Sequence, residues 1–189
     1  MKKALITLTL AAVSAGAFAQ GKVTFGNDAS HLFYYWDLGP IPVSPLPNGR
    51  SLQVVLYAGT SVALALQTSY VLDAANWLTD GRMVNKPVIL TGVPGAAVAN
   101  FQIILTDTGA VLPHTITGGV TGLVGAQDFG TSGLFTATPG ASLSYPGLVS
   151  GGPAGSTWTT GITAGIPEPS SMALAGLGAA TLVILRRRK

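Results

Sequence analysis

The chain of 189 residues contains no cysteine, so no disulfide frame is available and the fold has to rest on packing alone. Charge is nearly as scarce, with Asp, Glu, Lys and Arg together at 9%. Only two histidines, His31 and His114, and one glutamate, Glu168, are present. A metal site needs at least three convergent ligands, and neither a His-x-x-x-His nor a His-Glu spacing occurs, so both histidines are expected to be structural. Asp73, Asn76 and Asp80-Gly81 offer oxygen ligands near a turn. Their spacing departs from that of an EF-hand loop, however, and such residues commonly cap turns instead. No Gly-x-Ser-x-Gly elbow, phosphate-binding loop or dinucleotide fingerprint is found. The aspartates are scattered among turn positions with no acidic pair beside an aromatic platform, as glycoside hydrolysis would need. No catalytic residue, metal ligand or cofactor is expected.

What the chain does have is concentrated at its ends. Lys2 and Lys3 precede an apolar run over residues 4–13, and the small-residue pattern Ala17-Phe18-Ala19 follows at the distance a signal peptidase requires. Cleavage after Ala19 leaves Gln20 as the new terminus; the alternative after Ala17 shortens the spacer beyond the apolar core. At the other end Glu168 stands between Pro167 and Pro169. These prolines fix their own φ and bias the residue before each away from the α region, which predicts a short extended handle. From Pro169 to Leu185 no residue is charged, and as a helix these 17 residues would span about 25 Å, just enough for a membrane. Arg186, Arg187, Arg188 and Lys189 close the run with a basic cluster that favours the cytoplasmic side.

A proline-flanked acid, an apolar helix of small residues and a basic end, in that order, resemble the PEP-CTERM sorting signal of exported proteins from Gram-negative bacteria that make exopolysaccharide. The resemblance covers about 24 residues and rests on Pro167-Glu168-Pro169, residues 172–185 and Arg186 to Lys189. It implies recognition of the tripeptide by an exosortase, a membrane-embedded cysteine transpeptidase that removes the helix. The expected division is a signal peptide at 1–19, an extracytoplasmic β-domain at 20–165, and a sorting signal at 166–189 with its transmembrane helix at 170–185.

The charge balance changes with that division. The whole chain carries +3, but residues 20–166 hold four cations (Lys22, Arg50, Arg82, Lys86) against six aspartates, a net of −2. No basic patch is left to neutralise phosphates, which excludes nucleic acid as a partner. Enough Val, Ile, Leu and aromatic residues remain to argue for a packed domain over disorder.

Within the domain, strands are expected at 21–25, 31–36, 51–57, 86–91 and 98–107, while residues 61–67 fit a strand or a helix and are read as a strand. Shorter pieces follow near 115–117, 133–138, 143–145 and 158–163. Residues 51–57 carry apolar side chains on both faces, Leu52, Val54 and Leu56 against Val55 and Tyr57, and so predict cover from both sides. Prolines 40, 42, 45 and 47 predict a loop, and residues 73–78 could form one helical turn. A turn is expected at 92–95, joining the strands on either side. Many short strands bounded by Gly and Pro point to an all-β, antiparallel sandwich or jelly roll. The phrases Leu56-Tyr57-Ala58-Gly59 and Val93-Pro94-Gly95-Ala96, the latter followed by Phe101-Gln102-Ile103, are similar to small exported PEP-CTERM proteins of the Verrucomicrobia type.

The aromatic run Phe33-Tyr34-Tyr35-Trp36 could stack sugar rings. Alternation in a strand allows only Tyr34 with Trp36, or Phe33 with Tyr35, to share a platform, and core packing competes for both pairs. The leading expectation is a non-enzymatic surface or matrix protein whose partners are signal peptidase, an exosortase and exopolysaccharide. A carbohydrate-binding module and a secreted hydrolase are the alternatives.

Overall fold

A computed structural model of the chain describes residues 20–35, 39–41, 51–73, 75–78, 81–141, 143–149 and 154–165. The expected signal peptide, the sorting tripeptide, the apolar helix and the basic cluster lie outside the described residues, as do Trp36 and Asp80. The described part is all-β. Its strands are β1 Gln20–Phe25, β2 Phe33–Tyr35, β3 Gly39–Pro40, β4 Leu52–Gly59, β5 Ala63–Val71, β6 Lys86–Pro94, β7 Ala99–Asp107, β8 Thr115–Thr117, β9 Phe129–Ala137 and β10 Ile162–Ala164. Among the described residues no helix is long and apolar enough to cross a membrane.

The centre is β4, flanked by β5 and β7 in an antiparallel sheet of order β8-β5-β4-β7-β9. Every residue of β4 is buried, and its alternation divides two cores. Leu52, Val54, Leu56 and Ala58 enter the larger one, whereas Val55 and Tyr57 join Leu64, Ile104 and Ile116 in the smaller one on the opposite face. The two-sided pattern of residues 51–57 is thus met by cover on both sides. The same alternation sends Phe101, Ile103 and Leu105 of β7 to the larger core and Ile104 to the smaller. Each such side chain, fully buried, contributes about 1.5–3 kcal/mol, the main source of stability in a chain without cysteine.

Two smaller sheets complete the larger core. One is the antiparallel pair β1-β6, which supplies Val23, Phe25, Val88 and Leu90; the other has the order β10-β2-β3 and supplies Phe33, Tyr35, Ile162 and Ala164. Within the second, β10 runs parallel to β2, pairing Ile162 with Phe33 and Ala164 with Tyr35. The antiparallel expectation therefore holds for the main sheet and for β1-β6, but this pair departs from it. A parallel neighbour needs a long connection, here nearly the whole domain, which no local pattern discloses.

Two local readings are corrected. The turn placed at 92–95 lies instead at Gly95 and Ala96, where Ala96 takes φ = 60° and its N–H donates to the Pro139 carbonyl. Gly92, at φ = 72°, lies where the β1-β6 register jumps: Gln20 faces Pro94 while Lys22 faces Ile89. Glycine adopts such a φ at little cost, which is why the extra length of β6 is taken up there. The strands on either side of this turn do not form a hairpin, since β6 pairs with β1 and β7 with β4 and β9. Finally, residues 143–145 form no strand; Leu143 is 89% exposed, and the neighbouring Tyr145 carbonyl instead accepts from Thr24 Oγ1.

Candidate functional site

The last described segment, 154–165, runs along the outer edge of β9 and then crosses to β2. Thr157 N–H donates to the Thr136 carbonyl at 2.9 Å, Thr138 N–H to Ala154 at 2.8 Å, and Ile162 N–H to Leu32 at 3.0 Å. Gly165 and Phe129 exchange both backbone bonds, at 3.2 and 3.0 Å. Gly130 is required beside them: a Cβ there would run into the carbonyl of Thr163. The chain thus reaches the position two residues before Pro167 fastened to the β-domain. At the other end Gln20 opens β1 as an exposed residue opposite Pro94.

Of the aromatic run, Phe33 and Tyr35 belong to the core. Phe33 stacks on Trp77 with centroids 6.2 Å apart, and the Tyr35 hydroxyl donates to Asp128 Oδ1 at 2.9 Å. This pair is no sugar platform. Tyr34 lies half-buried on the opposite side of β2 with its ring beside Gly161, and its proposed companion Trp36 is outside the described residues.

His31 is buried between two acceptors. Its Nδ1 lies 2.6 Å from Asp28 Oδ1, its Nε2 2.9 Å from the Trp158 carbonyl oxygen, and its ring packs on the Trp158 indole at 4.8 Å. Burial works against the charged form of Asp28, but hydrogen bonds from His31 and from Ser30 N–H, together with the His31 charge, outweigh it and hold the carboxyl below its ordinary value. Both ring nitrogens are engaged, so the arrangement is a strut between the start of β2 and the 154–165 segment. It was legible only as an i, i+3 spacing of Asp28 and His31. His114, the second histidine, is exposed.

The sequence did not foresee that Asp107 and Asp128 meet. Asp107 Oδ2 accepts from Gln127 N–H at 2.6 Å and from Asp128 N–H at 3.1 Å, and its Oδ1 accepts from Gly109 N–H at 2.9 Å. Both residues are buried, and their bonds tie the loop after β7 to the start of β9, beside the anchor of Gly165. Asp73 likewise serves its own turn: Oδ1 accepts from Ala75 N–H, Asn76 N–H and Asn76 Nδ2. Its carbonyl takes the N–H groups of Asn76 and Trp77, the single turn expected at 73–78. Among the described residues no group of three His, Asp or Glu side chains converges as a metal site would require. Among the described residues these polar clusters hold loops. No curated protein and no solved structure matches the chain. Residues 165–189 match the PEP-CTERM protein-sorting motif, so the chain carries the sorting signal of exported exosortase substrates.

Proposed function

We propose that this protein is exported, held briefly in the membrane by its C-terminal helix, and processed at Pro167-Glu168-Pro169, leaving the 20–165 β-domain at the cell surface or in the exopolysaccharide. The observation that carries the reading is the motif match over 165–189, which overlaps the described β-domain only at Gly165. Cleavage after Ala19 follows the small-residue pattern Ala17-Phe18-Ala19 and would keep the described strand β1, Gln20–Phe25, whole. Arg186, Arg187, Arg188 and Lys189 act as the cytoplasmic stop, and Glu168 supplies the one negative charge of the tail. The domain acts as a structural surface protein without catalysis, and its many hydroxyl and glycine positions suit a hydrated polysaccharide.

The experiment is fractionation of wild type and Glu168→Ala in the native host. The variant is expected to be exported and folded but to stay in the membrane fraction, because the substitution removes the recognised charge without touching the helix. Release of Glu168→Ala at the wild-type level would contradict the reading.

A further inference from the structure

The first residue of β1 takes no part in the bonds that hold the strand. In an antiparallel pair, a residue opposite a proline cannot exchange backbone bonds with it, because proline has no N–H. Gln20 faces Pro94, so its own N–H and carbonyl turn away from β6. Among the described residues no group on the other side takes up its N–H, and none hydrogen-bonds its carboxamide. The side chain is exposed. The hold on the strand begins one residue later. A Cβ on Gly21 would come within 2.8 Å of Pro139 and 3.0 Å of the Val93 carbonyl oxygen, and Lys22 exchanges both backbone bonds with Gly140, at 3.0 and 2.8 Å.

We propose that Gln20 is a self-modification site: once signal peptidase frees it, its α-amine attacks its own Cδ and the residue closes to a pyroglutamyl lactam. The bond from the α-nitrogen to Cδ forms, the bond from Cδ to Nε2 breaks, and Nε2 leaves as ammonia with a proton taken from the amine. No oxidant or second reactant enters. The inference rests on the reading of Ala17-Phe18-Ala19 as the cleavage pattern. An α-amine ordinarily titrates at about 7.7–8.0, so near neutral pH a share of it is the neutral nucleophile, and the carboxamide of the same residue is always within reach. Because Gly21 and Lys22 carry the hold on β1, the ring closes without disturbing the sheet. The product has no free α-amine, the group by which an aminopeptidase grips a chain end, and this suits a domain left at the cell surface.

The test is a pulse-chase in the native host, with the amines of the intact protein blocked by reductive methylation before digestion, so that no ring can close afterwards. The N-terminal peptide is then read by mass. It is expected to begin at Gln20, to be lighter than the free-amine peptide by one ammonia, and to carry no methyl group on its α-nitrogen. Gln20→Ala lies beyond the pattern that signal peptidase reads, so this variant should begin at the same position with its α-nitrogen methylated. A wild-type peptide that begins at Gln20 and is still methylated at the α-nitrogen at the end of the chase overturns the lactam and leaves the cleavage intact. An α-nitrogen that stays blocked in Gln20→Ala overturns it as well. A mature chain that begins at another residue overturns the cleavage reading and the lactam with it.

Discussion

Asp28 and His31 show how few charges this domain needs when each is placed to hold a segment. Because the Asp28 carboxyl is held below its ordinary 3.8 in the folded state, its contribution is complete above that value and is lost as pH falls through the lowered one. Urea midpoints of the mature protein between pH 5 and pH 2 should therefore fall, and Asp28→Asn should flatten that fall. An unchanged acid limb in Asp28→Asn would show that the pair is not coupled to folding. His31→Ala should cost more, about 2–4 kcal/mol by denaturation, since it removes a buried ring packed on Trp158 and orphans the Trp158 carbonyl. Tyr57 sets the opposite limit. Burial pushes its phenol up to about 12, and its hydroxyl donates to the Pro113 carbonyl, so its contribution is complete below 10 and lost as pH rises toward 12. Tyr57→Phe should remove that alkaline loss when urea midpoints are followed from neutral pH upward through the phenol's ordinary value of 10.0.

Among the elements, β6 raises the question of how an edge is kept from pairing with another chain. Lys22 and Thr24 turn their backbone groups away from β6, toward Gly140 and Pro146, so the residues facing them, Ile89 and Pro87, turn theirs to the open side. Pro87 has no N–H to offer, and at Thr91 the Gln67 amide takes the place of a strand: it accepts from Thr91 N–H at 2.7 Å and donates to the Thr91 carbonyl at 3.3 Å. Gln67→Leu should cost about 1–2 kcal/mol in denaturant midpoint, and light scattering should register more self-association because the edge is uncovered. Equal stability and scattering would mean that Gln67 does not guard the edge. Strands β4 and β7 were legible because their alternation is long and apolar, and β8 because Thr115-Ile116-Thr117 is bounded by turn residues. The first half of β9, Phe129-Gly130-Thr131-Ser132, was not, because the glycine that suggests a loop answers to a carbonyl of β10 that lies over thirty residues away. The β1-β6 and β2-β10 pairings were hidden for the same reason, each being a long-range contact with no local pattern. The sorting motif was readable in full, because its information lies in consecutive residues and needs no fold.

At the scale of the whole molecule, the two ends of the β-domain sit at opposite ends of β9. Gly21 lies beside Pro139 and Lys22 bonds to Gly140, just past Ala137, whereas Gly165 bonds to Phe129. Eight residue steps of strand separate those sites, about 26 Å. Gln20, the end that the proposed signal cleavage would create, thus lies away from Gly165, and a folded reporter placed before Gln20 should leave the proposed C-terminal processing unchanged. On the proposed reading the 20–165 domain is a cargo and residues 165–189 its address, with processing at the junction. Intact mass of the protein recovered from the native host tests this most directly. The predicted mass begins at Gln20 and lacks the helix and the basic cluster, with the chain ending at or near Pro167-Glu168-Pro169; a mature protein that still carries Lys189 would contradict it.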